Sequence, residues 1–156
     1  MMADLVAPKA TLKRSWAFDL STETLYRLLK LRVEVFVVEQ KCAYPELDGR
    51  DLLVETRHFW LEEQGEIIGT LRLLEEHDDG VKSFRIGRLC TAATARGRGH
   101  TTRLLQAALA EVGSTNCRIN AQTYLVDMYS RHGFKLDGPE FIEDGIPHVP
   151  MRRGGF

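Results

Sequence analysis

The period of the hydrophobic positions changes several times along the chain, and each change marks an element. Residues 14–19 (RSWAFD) alternate apolar and polar side chains and predict a first strand. Residues 1–13 ahead of them show no period and are expected to be a mobile lead-in to a single domain over residues 14–156. Ser21 and Thr22 with Glu23 then offer an oxygen cap and a first-turn acid. They start a helix whose buried face is read as Leu25, Leu28, Leu29, Val33 and Phe36, ending near Glu39 or Gln40. The β-branched run Val33, Val35, Val37 and Val38 disfavours regular helix in its last turn. Residues 41–53 are a loop, with Pro45 and Asp48-Gly49 as turn signals.

Three strands follow, over residues 55–63, 66–76 and 84–91, joined by the short turns Gln64-Gly65 and Asp78-Asp79-Gly80 and therefore antiparallel. Leu104, Leu105, Ala108 and Leu109 recur at helical spacing and place a helix over residues 99–112. Residues 117–122 (CRINAQ) return as a strand. A helix separates it from the strand at 84–91, so the two should run parallel through a right-handed crossover. A further helix over 124–132 stops at Gly133, and residues 136–143 and 147–152 form a last hairpin about Asp144-Gly145. The sum is a single-domain α/β fold: a mixed, mostly antiparallel sheet with helices on both faces.

Composition narrows the function classes. At 156 residues, 44% hydrophobic and 28% charged, the chain reads as one ordinary globular domain. A net charge of −1 gives no basic face for nucleic acid. No apolar run approaches a membrane span and the start lacks a secretion pattern, so a cytoplasmic location without membrane contact is the default expectation. Cys42, Cys90 and Cys117 are odd in number and widely spaced, which predicts free, buried or half-buried thiols. The five histidines show no ligand spacing, and no metal is expected.

The chemistry concentrates after the strand at 84–91. A short loop there leads into Arg96-Gly97-Arg98-Gly99-His100-Thr101 and then the helix. Free N–H groups at a helix start, glycines without Cβ atoms and two arginines together suit an anion such as a diphosphate. The plainer alternative is a strand-to-helix turn that needs glycine only for positive φ. The sequence lacks G-x-x-x-x-G-K-[ST], and Thr102 stands where a dinucleotide fingerprint needs its third glycine, so both of those loops are excluded.

The same run resembles motif A, R/Q-x-x-G-x-G/A, of the GNAT N-acetyltransferase superfamily. Met128-Tyr129-Ser130-Arg131-His132-Gly133-Phe134 is similar to that family's (F/L)-Y-x-x-x-G-F. VFVVEQKCAYPELDGRD and EDGIPHVPM resemble its ElaA-like branch, and together these segments cover the chain from about Leu25 to Arg152. Thr101 departs from the usual Gly or Ala. The resemblance implies a splayed parallel strand pair and acetyl-CoA as acyl donor. Its pyrophosphate would lie on Arg96, Gly97, Arg98, Gly99, His100 and Thr101, and its pantetheine arm along Leu89, Cys90 and Thr91. An N–H of Leu89 or Cys90 would polarise the thioester, and Gln122 stands where relatives carry an Asn on the cofactor. Tyr129 would be the general acid, or else a tyrosine packed near a helix end.

By the same resemblance the acceptor is a primary amine of a small molecule or protein. Glu39, Tyr44, Glu46 and Asp48 are candidate substrate contacts, the acids being otherwise solvated loop charges. Glu39, His58, Glu143 and His148 are candidate bases. Three rivals stand beside direct transfer. Arg32-Val33-Glu34-Val35-Phe36 also resembles acyl-homoserine-lactone synthases, which use acyl carrier protein. Cys90 could relay the acyl group, or the protein could bind acyl-CoA without catalysis. A homodimer built on the terminal hairpin is compatible with the sequence.

Overall fold

Among residues 9–154, the part described by the computed structural model, eight strands form one sheet. They are β1 (Thr11–Trp16), β2 (Arg57–Glu63), β3 (Glu66–Asp78), β4 (Val81–Thr91), β5 (Cys117–Gln122), β6 (Lys135–Leu136), β7 (Phe141–Glu143) and β8 (Ile146–Arg153). The spatial order is β1-β2-β3-β4-β5-β8-β6, with β7 also on β8. Every pairing is antiparallel except β4 with β5, as expected. The hairpins turn through Gln64-Gly65, Asp79-Gly80 and Asp144-Gly145 with positive φ at both residues, whose twist matches that of the flanking strands.

Several boundaries differ from expectation for identifiable reasons. β1 begins at Thr11, because Thr11, Leu12 and Lys13 find ladder partners in Glu62, Leu61 and Trp60; it stops at Trp16, where a 3-10 turn (Ala17–Asp19) begins. The rest of the expected lead-in, residues 1–8, lies outside the described residues. The strand expected over 136–143 is split, since Asp137-Gly138-Pro139 interrupts it and proline has no N–H for a ladder. Helix α3 is only Val126–Ser130, entered through a 3-10 turn at Thr123–Leu125, and Gly133 with φ 89° ends that turn of chain.

Helix α1 (Thr22–Arg32) starts where Ser21 Oγ accepts from the Thr24 N–H at 3.0 Å. Val33–Glu39 then continues as a π-helix, the wider turn that sits where the valine run weakens regular helix. The buried stripe is Leu28, Leu31, Arg32 and Val35, while Val33, assigned to the core by the sequence, is exposed. The helix is rotated because Arg32 is drawn under the following loop by Asp51 and Glu46. Helix α2 (His100–Val112) buries Leu104, Leu105, Ala108 and Leu109 as the spacing requires.

Two cores result, one on each face of the sheet. Leu104, Leu105 and Ala108 of α2 pack with Phe59, Leu61, Leu71, Leu73 and Ile86. Leu28, Leu31 and Val35 pack with Trp60, Ile67 and Cys90 on the opposite face. Each such side chain contributes about 1.5–3 kcal/mol of burial, so the sheet is held rigid from both sides up to β4. There the ladder stops: β4 and β5 are in register only at Phe84–Cys117 and Arg85–Arg118, and beyond those pairs the strands splay. The β3–β4 register also slips between Thr70 and Arg72, and opposite the slip Arg88 takes a left-handed φ of 52°, a bulge that re-aims β4 beside the gap.

Candidate active site

The glycine turn enters α2 with Gly97 and Gly99 both at φ 78°, a conformation that disfavours any side chain, and a Cβ at either would project into open space. The first backbone bond of the helix runs from the Arg103 N–H to Gly99 O at 3.2 Å, so the preceding N–H groups face outward. They border a cavity of about 240 Å³ lined by Thr91, Arg96, Gly97, Gly99, His100 and Thr101. His100 is 6% exposed and neither ring nitrogen has a partner among the described residues, while burial and the nearby Arg98 keep its pKa below the usual histidine value. An unpaired buried imidazole beside free N–H groups is a seat short of a polar ligand, and it fits a diphosphate. The Thr101 hydroxyl lies 3.3 Å from that of Thr91.

The two arginines of the turn behave differently from the simple expectation that both present free charge. Arg98 binds Glu63 in a two-point pair and lines neither cavity. Arg96 does line the cavity, with Nε donating to Thr91 O at 3.2 Å. Its Nη groups meet the Glu39 carboxylate at 2.6 and 2.7 Å. That hydrogen bond holds Glu39 below the usual carboxylate range.

A second cavity of about 730 Å³ lies along the gap between β4 and β5. Leu89, Cys90, Thr91, Gln122 and Tyr129 all line it, as do Glu39, Tyr44, Glu143 and His148. Tyr129 is 4% exposed and packs edge-on against Phe134 at 5.9 Å; burial pushes its phenol well above the usual range, so it stays protonated. Burial likewise raises the Cys90 thiol to about 12, which leaves no thiolate for an acyl relay at neutral pH. His148, opposite Gln122 in the ladder, donates from Nδ1 to Ile146 O at 2.7 Å, which leaves Nε2 as the nitrogen that can accept a proton.

His58 is not part of this site. It lies on a strand buried from both faces, is 1% exposed, and donates from Nε2 to Asp51 O at 2.9 Å. Its burial opposes protonation, and it is a packed core histidine. Glu46 is buried and Asp48 is exposed, and both are held in ion pairs. Arg32 meets Asp51 at 2.5 Å and Glu46 at 3.3 Å, Arg72 meets Asp48 at 2.8 Å and Asp51 at 3.1 Å, and Arg88 closes the cluster onto Glu46. Tyr44 lies under Arg88, with its ring centroid 5.7 Å from the guanidinium; burial and Glu46 keep its phenol protonated.

Residues 25–154 match the profile described as the Acetyltransferase (GNAT) domain. The chain belongs to the GNAT acetyltransferase family. A UPF0039 protein of Mycobacterium tuberculosis is 69% identical over 145 residues, 92% of this chain and 93% of that protein. The crystal structure of an acyl-CoA N-acyltransferase from Pseudomonas aeruginosa superposes with a TM-score of 0.85 at 39% identity, covering 94% of this chain and 100% of that one. Escherichia coli ElaA gives 0.84 at 32% identity, covering 93% and 99%. The ElaA-like resemblance and the splayed GNAT sheet are thus borne out, and the family supports an acyl-transfer activity.

In this GNAT frame the sequence reading missed the arginines of the second cavity, Arg50, Arg72, Arg85 and Arg88. A signal existed: Arg72 and Arg85 interrupt strands that are otherwise apolar at interior positions. Among the described residues Glu55, Glu75 and His77 bring ligand atoms within 4.8 Å, a grouping that sequence spacing did not announce. Glu75 is already paired with Arg57 and Lys82. No helix of the described residues is long and apolar enough to cross a membrane.

Proposed function

We propose that the protein transfers an acetyl group from acetyl-CoA to a primary amine of a small molecule or protein, by direct attack within a ternary complex. The observation that carries this reading is the continuity of the site: the glycine turn at the α2 N-terminus shares Thr91, Arg96 and Thr101 with the cavity along the β4–β5 gap, which a protonated Tyr129 also lines.

When bound, the donor supplies an activated acyl group as its thioester. The backbone N–H groups of Gly97, Gly99, His100 and Thr101, with Arg96 and the His100 ring, hold its diphosphate. Leu89, Cys90 and Thr91 guide its arm along β4, and the N–H of Leu89 or Cys90 polarises the carbonyl. The amine nitrogen forms its bond to the carbonyl carbon as the carbon–sulfur bond breaks. Tyr129 gives its proton to the departing sulfur, and His148 Nε2, directly or through water, takes the proton lost by the amine. Solvent then reprotonates Tyr129. Glu143 stands beside His148 on the cavity wall as the alternative acceptor of that proton. Glu39 is occupied by Arg96 and His58 by Asp51, which argues against either as the base.

The test is Tyr129→Phe. Acetyl-CoA should bind the variant with unchanged Kd in calorimetry, while kcat falls by about 10²–10⁴. Unchanged turnover removes Tyr129 as the acid. Failure of the wild type to bind acetyl-CoA removes the donor assignment.

A further inference from the structure

The wall of the larger cavity has an uneven charge distribution. Arg32, Arg72 and Arg88 are matched by Glu46, Asp48 and Asp51 in a closed set, and Arg96 is matched by Glu39. Arg50 and Arg85 share one carboxylate between them. Both line the cavity, and both turn to a single carboxylate: Arg85 Nε donates to Glu76 at 3.0 and 3.1 Å, and Arg50 Nη2 donates to it at 3.0 Å. The two Nη groups of Arg85 make no hydrogen bond to described residues. Arg85 sits at the vertex of the splay, at the last registered pair of β4 and β5, so its free donors stand at the closed end of the gap. Glu143 and Asp144, on the terminal hairpin, give the same cavity two carboxylates with no ion pair among the described residues. Their hairpin is joined to the loop after α1 by Cys42 Sγ, which donates to Asp144 O at 3.2 Å.

We propose that the acceptor is a small amino-carboxylate, an amino acid or short peptide with a free carboxylate, and that Arg85 with Arg50 receives that carboxylate while the amine faces the Glu143 and His148 wall. The inference rests on the acetyl-CoA reading above and adds the chemical class of the acceptor. A planar guanidinium with two idle Nη groups is the natural two-point partner of a carboxylate, and the net positive end set against an anionic wall orients a molecule carrying both charges.

The experiment pairs amino acids and dipeptides with their own C-terminal amides as acceptors for acetyl-CoA. Thiol release is followed and rates are corrected for the fraction of neutral amine. The free acids should exceed the amides in kcat/KM by about 30-fold or more, the worth of a charge-assisted pair. Arg85→Gln should bring that ratio below about 3-fold with the Kd of acetyl-CoA unchanged, and Arg85→Lys should restore part of it. Glu76→Gln, which frees both guanidiniums, should lower KM for the acids several-fold and covers the case in which the Arg85 variants do not fold. Amides as good as acids, or no acid or dipeptide acetylated by protein that binds acetyl-CoA, overturn this assignment and leave the donor reading standing. Absence of acetyl-CoA binding overturns both.

Discussion

Arg96 and Glu39 pose the sharpest question at the scale of single residues. The loop arginine that should attract a phosphate is held by a carboxylate at 2.6 Å, and that carboxylate is itself a candidate base. The pair is exposed, so the two roles separate cleanly. Glu39→Gln removes a competitor for Arg96 and should tighten acetyl-CoA binding about 2- to 5-fold, the range of an exposed ion pair, with kcat unchanged. Calorimetry and initial rates check both halves; a large fall in kcat would restore Glu39 as the base. Arg96 and Tyr129 were legible from motif spacing because each motif fixes a backbone turn as well as a side chain. His58 was not, since a histidine on a strand covered on both faces has the same local pattern as one on a half-exposed strand. Arg85 was legible only as an unexplained charge among apolar neighbours.

Among the elements, the loop between α1 and β2 depends on charge more than on apolar burial. Leu47, Leu52, Leu53 and Val54 are exposed, while Arg32, Glu46 and Asp51 are buried beneath them. Burial alone would raise the carboxyl of Asp51, yet Arg32 and Arg72 hold it below the usual range, and Asp48 is depressed in the same way. The folded chain therefore binds fewer protons than the unfolded chain as pH falls through about 4. The stabilisation is complete above that pH and is lost progressively below it. Asp51→Asn leaves buried Arg32 with Glu46 alone and should cost about 3–5 kcal/mol in urea unfolding at neutral pH, with a flatter loss of stability on acidification than wild type. An equally steep acid limb in the variant would assign the pH dependence elsewhere. The valine run marked the irregular turn, but the rotated face of α1 was illegible for the same reason. The apolar spacing admits two stripes, and partners of Arg32 that lie 14 and 19 residues away choose between them.

For the whole molecule, antiparallel connections and one parallel crossover follow from turn signals and element order. The strand order and the point at which β4 and β5 part do not. A ladder ends where two strands stop sharing a plane, and residues 86–91 and 119–122 are as strand-like as those that pair. That parting divides the sheet into β1–β4 and the β5–β8 group. It also sets a timetable. If the pantetheine arm fills the gap, the acceptor chamber has no floor until the donor is in place, and CoA cannot leave before the acetylated product without undoing that floor. Catalysis should then be compulsorily ordered, donor first and CoA last. CoA should inhibit competitively against acetyl-CoA and noncompetitively against the amine, whereas a random order would give competition-free patterns for neither and show that the gap keeps its shape without a guest.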